Sequence, residues 1–173
     1  MLFGEKVCLG PVLNSDLALL FNWFDTLEIV SASAPYRPVS EAKFHQWLGG
    51  AANDTSRVLF VIRRKGDLRL LGHVHISNIQ PVARSADIGL GIGLASDRGQ
   101  GYGGEALTLA VHYCWRELNL QRVALTVLSH NPRAQGLYER LGFQAEGRLR
   151  RATYVDGQFH DVIIMGLLRP ESF

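Results

Sequence analysis

Residues 97–106 read DRGQGYGGEA, and four of these ten are glycine. Glycine is costly in chain entropy and is kept where backbone must curl tightly or come close to something else. The stretch follows an alternating run, Ile88-Gly-Leu-Gly-Ile-Gly-Leu94, and leads into a helix-like segment from Ala106 to Leu118. A glycine-rich turn that opens into a helix gathers free backbone N–H groups around one point, and the helix dipole adds partial positive charge there. That combination suits an anion, phosphate above all. Arg98 adds a full positive charge at the rim.

Neighbouring residues narrow the phosphate ligand. A nucleoside-triphosphate loop ends in Gly-Lys-Ser/Thr, but here Glu105 follows Gly104. Gly99-x-Gly101-x-x-Gly104 has the dinucleotide-fold spacing. That fold wants an acid about 20 residues on, at the end of the next strand. The next strand ends Val127-Leu-Ser-His130, without one.

The elements that must position the loop are legible from periodicity. Lys6 to Leu9 reads as a first strand. Asn14-Ser15 caps a helix carrying Leu17, Leu20, Phe21 and Phe24 at helical spacing. Residues 31–39 are turn-rich. Ser40 caps a second helix through Trp47, stopped by Gly49-Gly50. Arg57–Arg64, Leu68–Ile79 and Ala86–Leu94 form an antiparallel meander. A strand through Val123, Leu125 and Val127 follows the glycine loop and its helix. Asn131-Pro132 then opens another helix, closed by Leu141-Gly142. Asp156-Gly157 joins Arg148–Val155 to Gln158–Leu167 as a hairpin. The expected fold is a mixed α+β single domain spanning 1–173. Its sheet is largely antiparallel, with one β-α-β crossover and helices on both faces. A ligand crevice belongs at that crossover, outside the strand's carboxyl end.

Read together, these residues resemble the GNAT superfamily of N-acetyltransferases. Arg98-Gly-Gln-Gly101-Tyr-Gly103 matches its Arg/Gln-x-x-Gly-x-Gly/Ala signature. Leu120-Gln-Arg-Val123, Asn131-Pro-Arg-Ala-Gln-Gly-Leu-Tyr138-Glu-Arg-Leu-Gly-Phe143, Glu146-Gly-Arg148-Leu-Arg and His160-Asp-Val-Ile-Ile-Met165 follow in the same order. The wording is similar to the branch of ribosomal-protein N-terminal (Rim-type) and spermidine acetyltransferases. The likeness is strong over residues 80–168 and rests on element order alone before residue 60.

The resemblance implies acetyl-CoA as acetyl donor, with no metal. Arg98, Gly99, Gln100, Gly101, Tyr102, Gly103 and Gly104 would wrap its pyrophosphate. The two central strands, ending near Leu94 and Leu128, would splay. The pantetheine arm would then pair with the backbone of Ile92 and Leu94 like an added strand. A free N–H there could polarise the thioester carbonyl. In that strand Gly89, Gly91 and Gly93 share one face and the apolar residues the other. The bare face can admit a ligand, and it fits a large crowding neighbour almost equally well. Tyr138 matches the tyrosine that protonates the departing sulfur; a core-packing tyrosine is its structural alternative. Asn131 matches an asparagine that binds the pantetheine arm, and it can cap the helix at the same time. Arg133 could meet the 3′-phosphate or stand solvated. Asp87, on the glycine face, is the candidate base for the acceptor ammonium, with a surface hydrogen-bonding role as the alternative.

The superfamily lines its acceptor groove with the first two helices, their loop and the last hairpin. Here those are Trp23, Tyr36, Arg37 and residues from Tyr154 to Phe159. Asp25, Glu28 and Glu41 are the acids of residues 21–47, sparse for a polyamine site. A peptide N-terminus is therefore the leading acceptor. A polyamine, amino sugar or aminoglycoside comes second, and a silent CoA-binding sensor is the non-enzyme reading. A homodimer is a family-level expectation.

Composition sets the outer limits. The chain has 173 residues, 47% hydrophobic, with a net charge of +2. That basic excess is too weak to argue for nucleic acid or an anionic membrane. MLFGEKVCLG does not read as a signal peptide. Cys8 and Cys114 are far apart and in apolar settings, which fits two buried thiols in a reducing cytoplasm. His45, His73, His75, His112, His130 and His160 show no metal-ligand spacing.

Overall fold

The computed structural model describes residues 1–26, 37–51 and 54–171. Two short strands, β1 (Leu2–Phe3) and β2 (Val7–Gly10), come first. A 3-10 turn at Asn14–Asp16 runs into helix α1 (Leu17–Phe24), and α2 (Glu41–Ala51) follows. The meander is β3 (Val58–Arg64), β4 (Leu70–Gln80) and β5 (Ser85–Ile92). Next come a 3-10 turn at Ala95–Asp97, α3 (Tyr102–Arg116), β6 (Arg122–Leu128) and α4 (Pro132–Arg140). The hairpin of β7 (Gln144–Val155) and β8 (Gln158–Leu168) completes an open sheet ordered β1-β2-β3-β4-β5-β6-β8-β7. Every neighbouring pair is antiparallel except β5 and β6. The mixed fold and its central crossover are those expected from the sequence.

Helices cover both faces because β3 alternates. Val61 packs with Leu20, Trp23 and Phe44 of α1 and α2, while Ile62 packs with Leu107, Ala110 and Cys114 of α3. Punctuation residues act where the sequence placed them. Asn131 Oδ1 accepts the Ala134 N–H at 3.1 Å, and Pro132 opens α4. At the hairpin, Asp156 and Gly157 both take positive φ (48° and 77°), as a two-residue primed turn requires.

Some boundaries differ from the sequence reading. Helix α3 begins at Tyr102, four residues before Ala106. Gly101 (φ +87°) makes the bend, so Tyr102, Gly103 and Gly104 form the helix's first turn. Helix α2 runs through Gly49-Gly50 to Ala51, since glycine weakens a helix without forbidding it. Strand β5 ends at Ile92, and Leu94 instead accepts from the Asp97 N–H in the following 3-10 turn (3.1 Å). Strand β7 starts at Gln144, paired with Gly166 of β8.

Candidate active site

The site begins with a pairing that stops early. Strands β5 and β6 run parallel and register at only three positions: Ser85 with Arg122, Ala86 with Val123, and Asp87 with Ala124. Each strand then keeps its outer neighbour. Strand β5 stays with β4 as far as Ile92, and β6 stays with β8 as far as Leu128. The two strands therefore splay, leaving the inner edge of β5 from Ile88 to Ile92 without a ladder partner on the β6 side. A polar backbone edge of this kind can pair with an extended ligand arm.

Two cavities open on the splay. One, of about 660 Å³, is bounded by the glycine loop, Leu90–Ile92, Thr126–Leu128 and residues of α4. The other, of about 630 Å³, is bounded by Trp23, Phe24, His73, His75, Asp87 and the glycine face of β5. Leu90, Gly91, Ile92, Thr126 and Tyr138 border both, so the cavities adjoin there.

The first cavity has the features of an anion cradle. Gly99 (φ +84°) and Gly101 (φ +87°) take left-handed backbone that other residues resist. The N–H groups at the start of α3 have no carbonyl one turn earlier to bond. The loop is held from outside. Lys6 Nζ donates to the Gln100 carbonyl at 3.2 Å. Buried Asp97 pairs with Arg69 at 2.6 and 2.9 Å, and hydrogen bonding to that guanidinium holds its carboxyl below the usual range. The Arg133 guanidinium lies 3.0 Å from where a Cβ on Gly99 would sit.

Arg98 does more than add charge at the rim. Its guanidinium donates to the Ile92 and Gly93 carbonyls at 3.3 and 3.2 Å, tying the loop to the end of β5. Gln100 and Tyr102 belong to the loop and the first helical turn but do not line the cavity. Leu94, exposed beyond the strand end, does not line it either. Asn131 and Arg133 do.

In the second cavity the bare face of β5 is occupied by large neighbours. A Cβ on Gly89 would fall 2.5 Å from the His75 ring, one on Gly91 2.8 Å from His73, and one on Gly93 inside the Trp23 indole. The crowded-strand reading therefore holds, and the crowding groups are themselves cavity wall. Trp23 both packs and lines. Asp87 lies exposed on the same wall, accepting from Asn78 Nδ2 at 3.3 Å. Arg37 is exposed and borders neither cavity, and Tyr36 and Glu28 lie outside the described residues. Tyr154 and Phe159 stack edge-to-face, 4.9 Å apart, and do not line either cavity; Thr153 borders the first.

Tyr138 is buried on α4, packed edge-on against Phe143 at 6.0 Å. Burial raises its phenol above the ordinary tyrosine value, so it stays protonated through neutral pH. Sequence reasoning missed three contributors. Lys6 is brought in from the far end of the chain. Gln135 donates to the Leu128 and Ser129 carbonyls at 3.1 Å each, and its one-turn spacing from Asn131 was the available signal. His73 and His75, which show no metal-ligand spacing in the sequence, line the second cavity.

Burial, with His75 nearby, pulls His73 down to about 4. The folded state then binds fewer protons than the unfolded chain. The His73 contribution to stability is complete above pH ~6.5 and lost as pH falls towards 4, about 3 kcal/mol in all. Urea midpoints at pH 7.5 and 4.5 should drop less for His73→Gln than for the native chain. An equal drop would refute the assignment.

Comparison with known proteins agrees with this geometry. The family model described as "Acetyltransferase (GNAT) domain" matches residues 6–144. A Bacillus subtilis (strain 168) relative, named for ribosomal N-acetylation, is 34% identical over 105 residues. That is 61% of this chain and 57% of the relative. The [ribosomal protein uS5]-alanine N-acetyltransferase of Escherichia coli K12 is 35% identical over 74 residues, 43% of this chain and 38% of the relative. A crystal structure of spermidine N-acetyltransferase from Vibrio cholerae, in complex with CoA and spermine, superposes with a TM-score of 0.87. It is 27% identical and covers 95% of this chain and 96% of that one. The early end of β5–β6 pairing and the glycine cradle beside it thus have a common explanation: the chain belongs to the GNAT family of N-acetyltransferases, whose acetyl donor is acetyl-CoA.

Proposed function

We propose that this protein transfers the acetyl group of acetyl-CoA directly to a primary amine carried by a peptide N-terminus. The observation behind the reading is that a cavity walled by the glycine loop and an aromatic, imidazole-lined cavity adjoin at Tyr138. In this reading the donor's pyrophosphate rests on the N–H groups of residues 99–104, with Arg133 beside it. Its pantetheine arm pairs with the inner edge of β5 near Ile92 and approaches Asn131. Asp87 meets the acceptor's ammonium in the second cavity. The neutral amine attacks the thioester carbonyl, and Tyr138 protonates the departing sulfur.

The acceptor class follows from charge. Among the described residues Asp87 is the one carboxylate lining the second cavity. A single carboxylate matches a single ammonium, whereas a polyamine presents several cations along its length. The second reading, a polyamine acceptor, is favoured by likeness along 91% of this chain to the spermidine N(1)-acetyltransferase of Vibrio cholerae. The test is thiol release from acetyl-CoA with alanine- and serine-initiated peptides, spermidine, spermine and amino sugars. The expected result is a kcat/KM for the best peptide at least about tenfold above that for either polyamine. The reverse order selects the second reading. Tight CoA binding without turnover of any amine would make the domain a sensor.

A further inference from the structure

The glycine alternation of β5 poses a question that donor binding leaves open, namely why the side facing the acceptor cavity must be bare. The cross-strand register answers it. His75 of β4 opposes Gly89 and His73 opposes Gly91, and each imidazole occupies the space a β5 side chain would take. Along this wall the order is Trp23, His73, His75, then Asp87 two residues before Gly89. His73 sits between Phe24 (5.2 Å) and His75 (6.0 Å, stacked). His75 is solvent-exposed.

Resting on the acceptor assignment above, we infer that His75 is the base that takes the proton from the acceptor ammonium, with Asp87 compensating the imidazolium charge. One ammonium N–H bond breaks, and its proton joins the unprotonated ring nitrogen of His75. The electron pair left behind forms the bond to the acetyl carbon. The carbon–sulfur bond breaks as Tyr138 protonates the sulfur, the nitrogen's second proton returns to the Tyr138 oxygen, and the first passes from His75 to water at the exposed edge of the ring. An ordinary carboxylate, with a pKa of about 4, is poorly matched to an amine; an imidazole near 6.5 is much closer. His73 is the poorer base, because it is packed between Phe24 and His75 and protonates only near pH 4. One edge of the His75 ring reaches solvent, but desolvation by its packed neighbours draws it below the usual imidazole value and outweighs the opposing Asp87 charge, so the ring is neutral and receptive at pH 7. Among the described residues, the titratable groups facing His75 are His73 on its own strand, Asp87 on β5 and Tyr138 across the cavity. Its β3 partner, Leu59, carries no charge.

The experiment is the pH profile of kcat/KM for the best acceptor amine, from pH 5.5 to 9.5, for the native chain, His75→Gln and Asp87→Asn. The native profile should fall on the acid side as His75 protonates. A peptide α-amine is already roughly one-tenth neutral at pH 7, so His75→Gln should lose about tenfold there. It should recover towards the native rate above the amine's own pKa, with the KM for acetyl-CoA unchanged. In a His75→Ala variant, added imidazole should restore turnover, which a purely structural residue would not allow. A native-like acid limb in His75→Gln, or a limb that moves only in Asp87→Asn, overturns the assignment. Should His75→Gln fail to fold, as judged by CoA binding, Gly89→Ala displaces the same ring and must reproduce the profile. A native chain that acetylates no amine overturns the acceptor assignment and this inference with it. A native chain that is active, beside an unaltered His75→Gln, overturns the inference alone.

Discussion

Tyr138→Phe should lower kcat by about 100- to 1,000-fold, within the usual contribution of a placed general acid, and leave the KM for acetyl-CoA within about twofold. The substitution removes one oxygen and keeps the ring. Packing against Phe143 therefore persists, and the melting temperature should barely move. A thiolate leaving group needs a proton as the carbon–sulfur bond breaks, and Tyr138 borders both cavities at their junction. Its phenol is raised by burial. Because the acid must be protonated, its contribution holds across neutral pH and is lost only as pH rises through that raised value, above the ordinary 10. An alkaline decline in the native rate below pH 9 would therefore belong to another group. Steady-state kinetics in both substrates provide the measurement. Unchanged turnover in Tyr138→Phe would refute the role.

Asp16→Ala should destabilise the fold by about 3–5 kcal/mol, a large part of a total that is typically about 5–15. Asp16 and Arg63 form a two-pronged ion pair (2.6 and 3.0 Å), with side chains 5% and 9% exposed. Asp16 also accepts the Leu13 N–H at 2.7 Å, fixing the turn that starts α1. Truncation leaves the Arg63 cation buried without its carboxylate, which is why removing one partner costs more than replacing both. The double variant Asp16→Leu with Arg63→Met should therefore recover most of the loss. A chain of this size should melt about 10 °C lower in Asp16→Ala. Helix α1 carries Trp23, the indole that fills the space above Gly93. At permissive temperature the KM for the acceptor should rise, while that for acetyl-CoA stays near native. Denaturant midpoints and two-substrate kinetics test both statements. A loss below 1 kcal/mol would show that the pair is open to water.

The contrast between these two residues shows what was legible. Local physics made the donor side readable from sequence. Gly99 and Gly101 are needed wherever backbone turns left-handed, Asn131-Pro132 is a helix start in any context, and Asp156-Gly157 is a hairpin in almost any context. The motif likeness then put Tyr138 on the helix after the crossover. The second cavity, proposed for the acceptor, is less readable, because its wall comes from α1, β4 and β5, and no spacing rule links Trp23, His75 and Asp87. The glycine alternation was visible, but whether a ligand or a neighbour filled it depended on cross-strand register, a non-local property. Lys6 reaches Gln100 only because Glu105 accepts the backbone N–H groups of Glu5 and Lys6 and docks that turn beside α3. The sequence by itself determined the order of elements and hence the fold class, since periodicity, caps and turns act within a few residues, and motif likeness added the donor. Tertiary structure alone decided where β5 and β6 part and which side chains face across the gap, because strand pairing sets both between residues far apart in the chain.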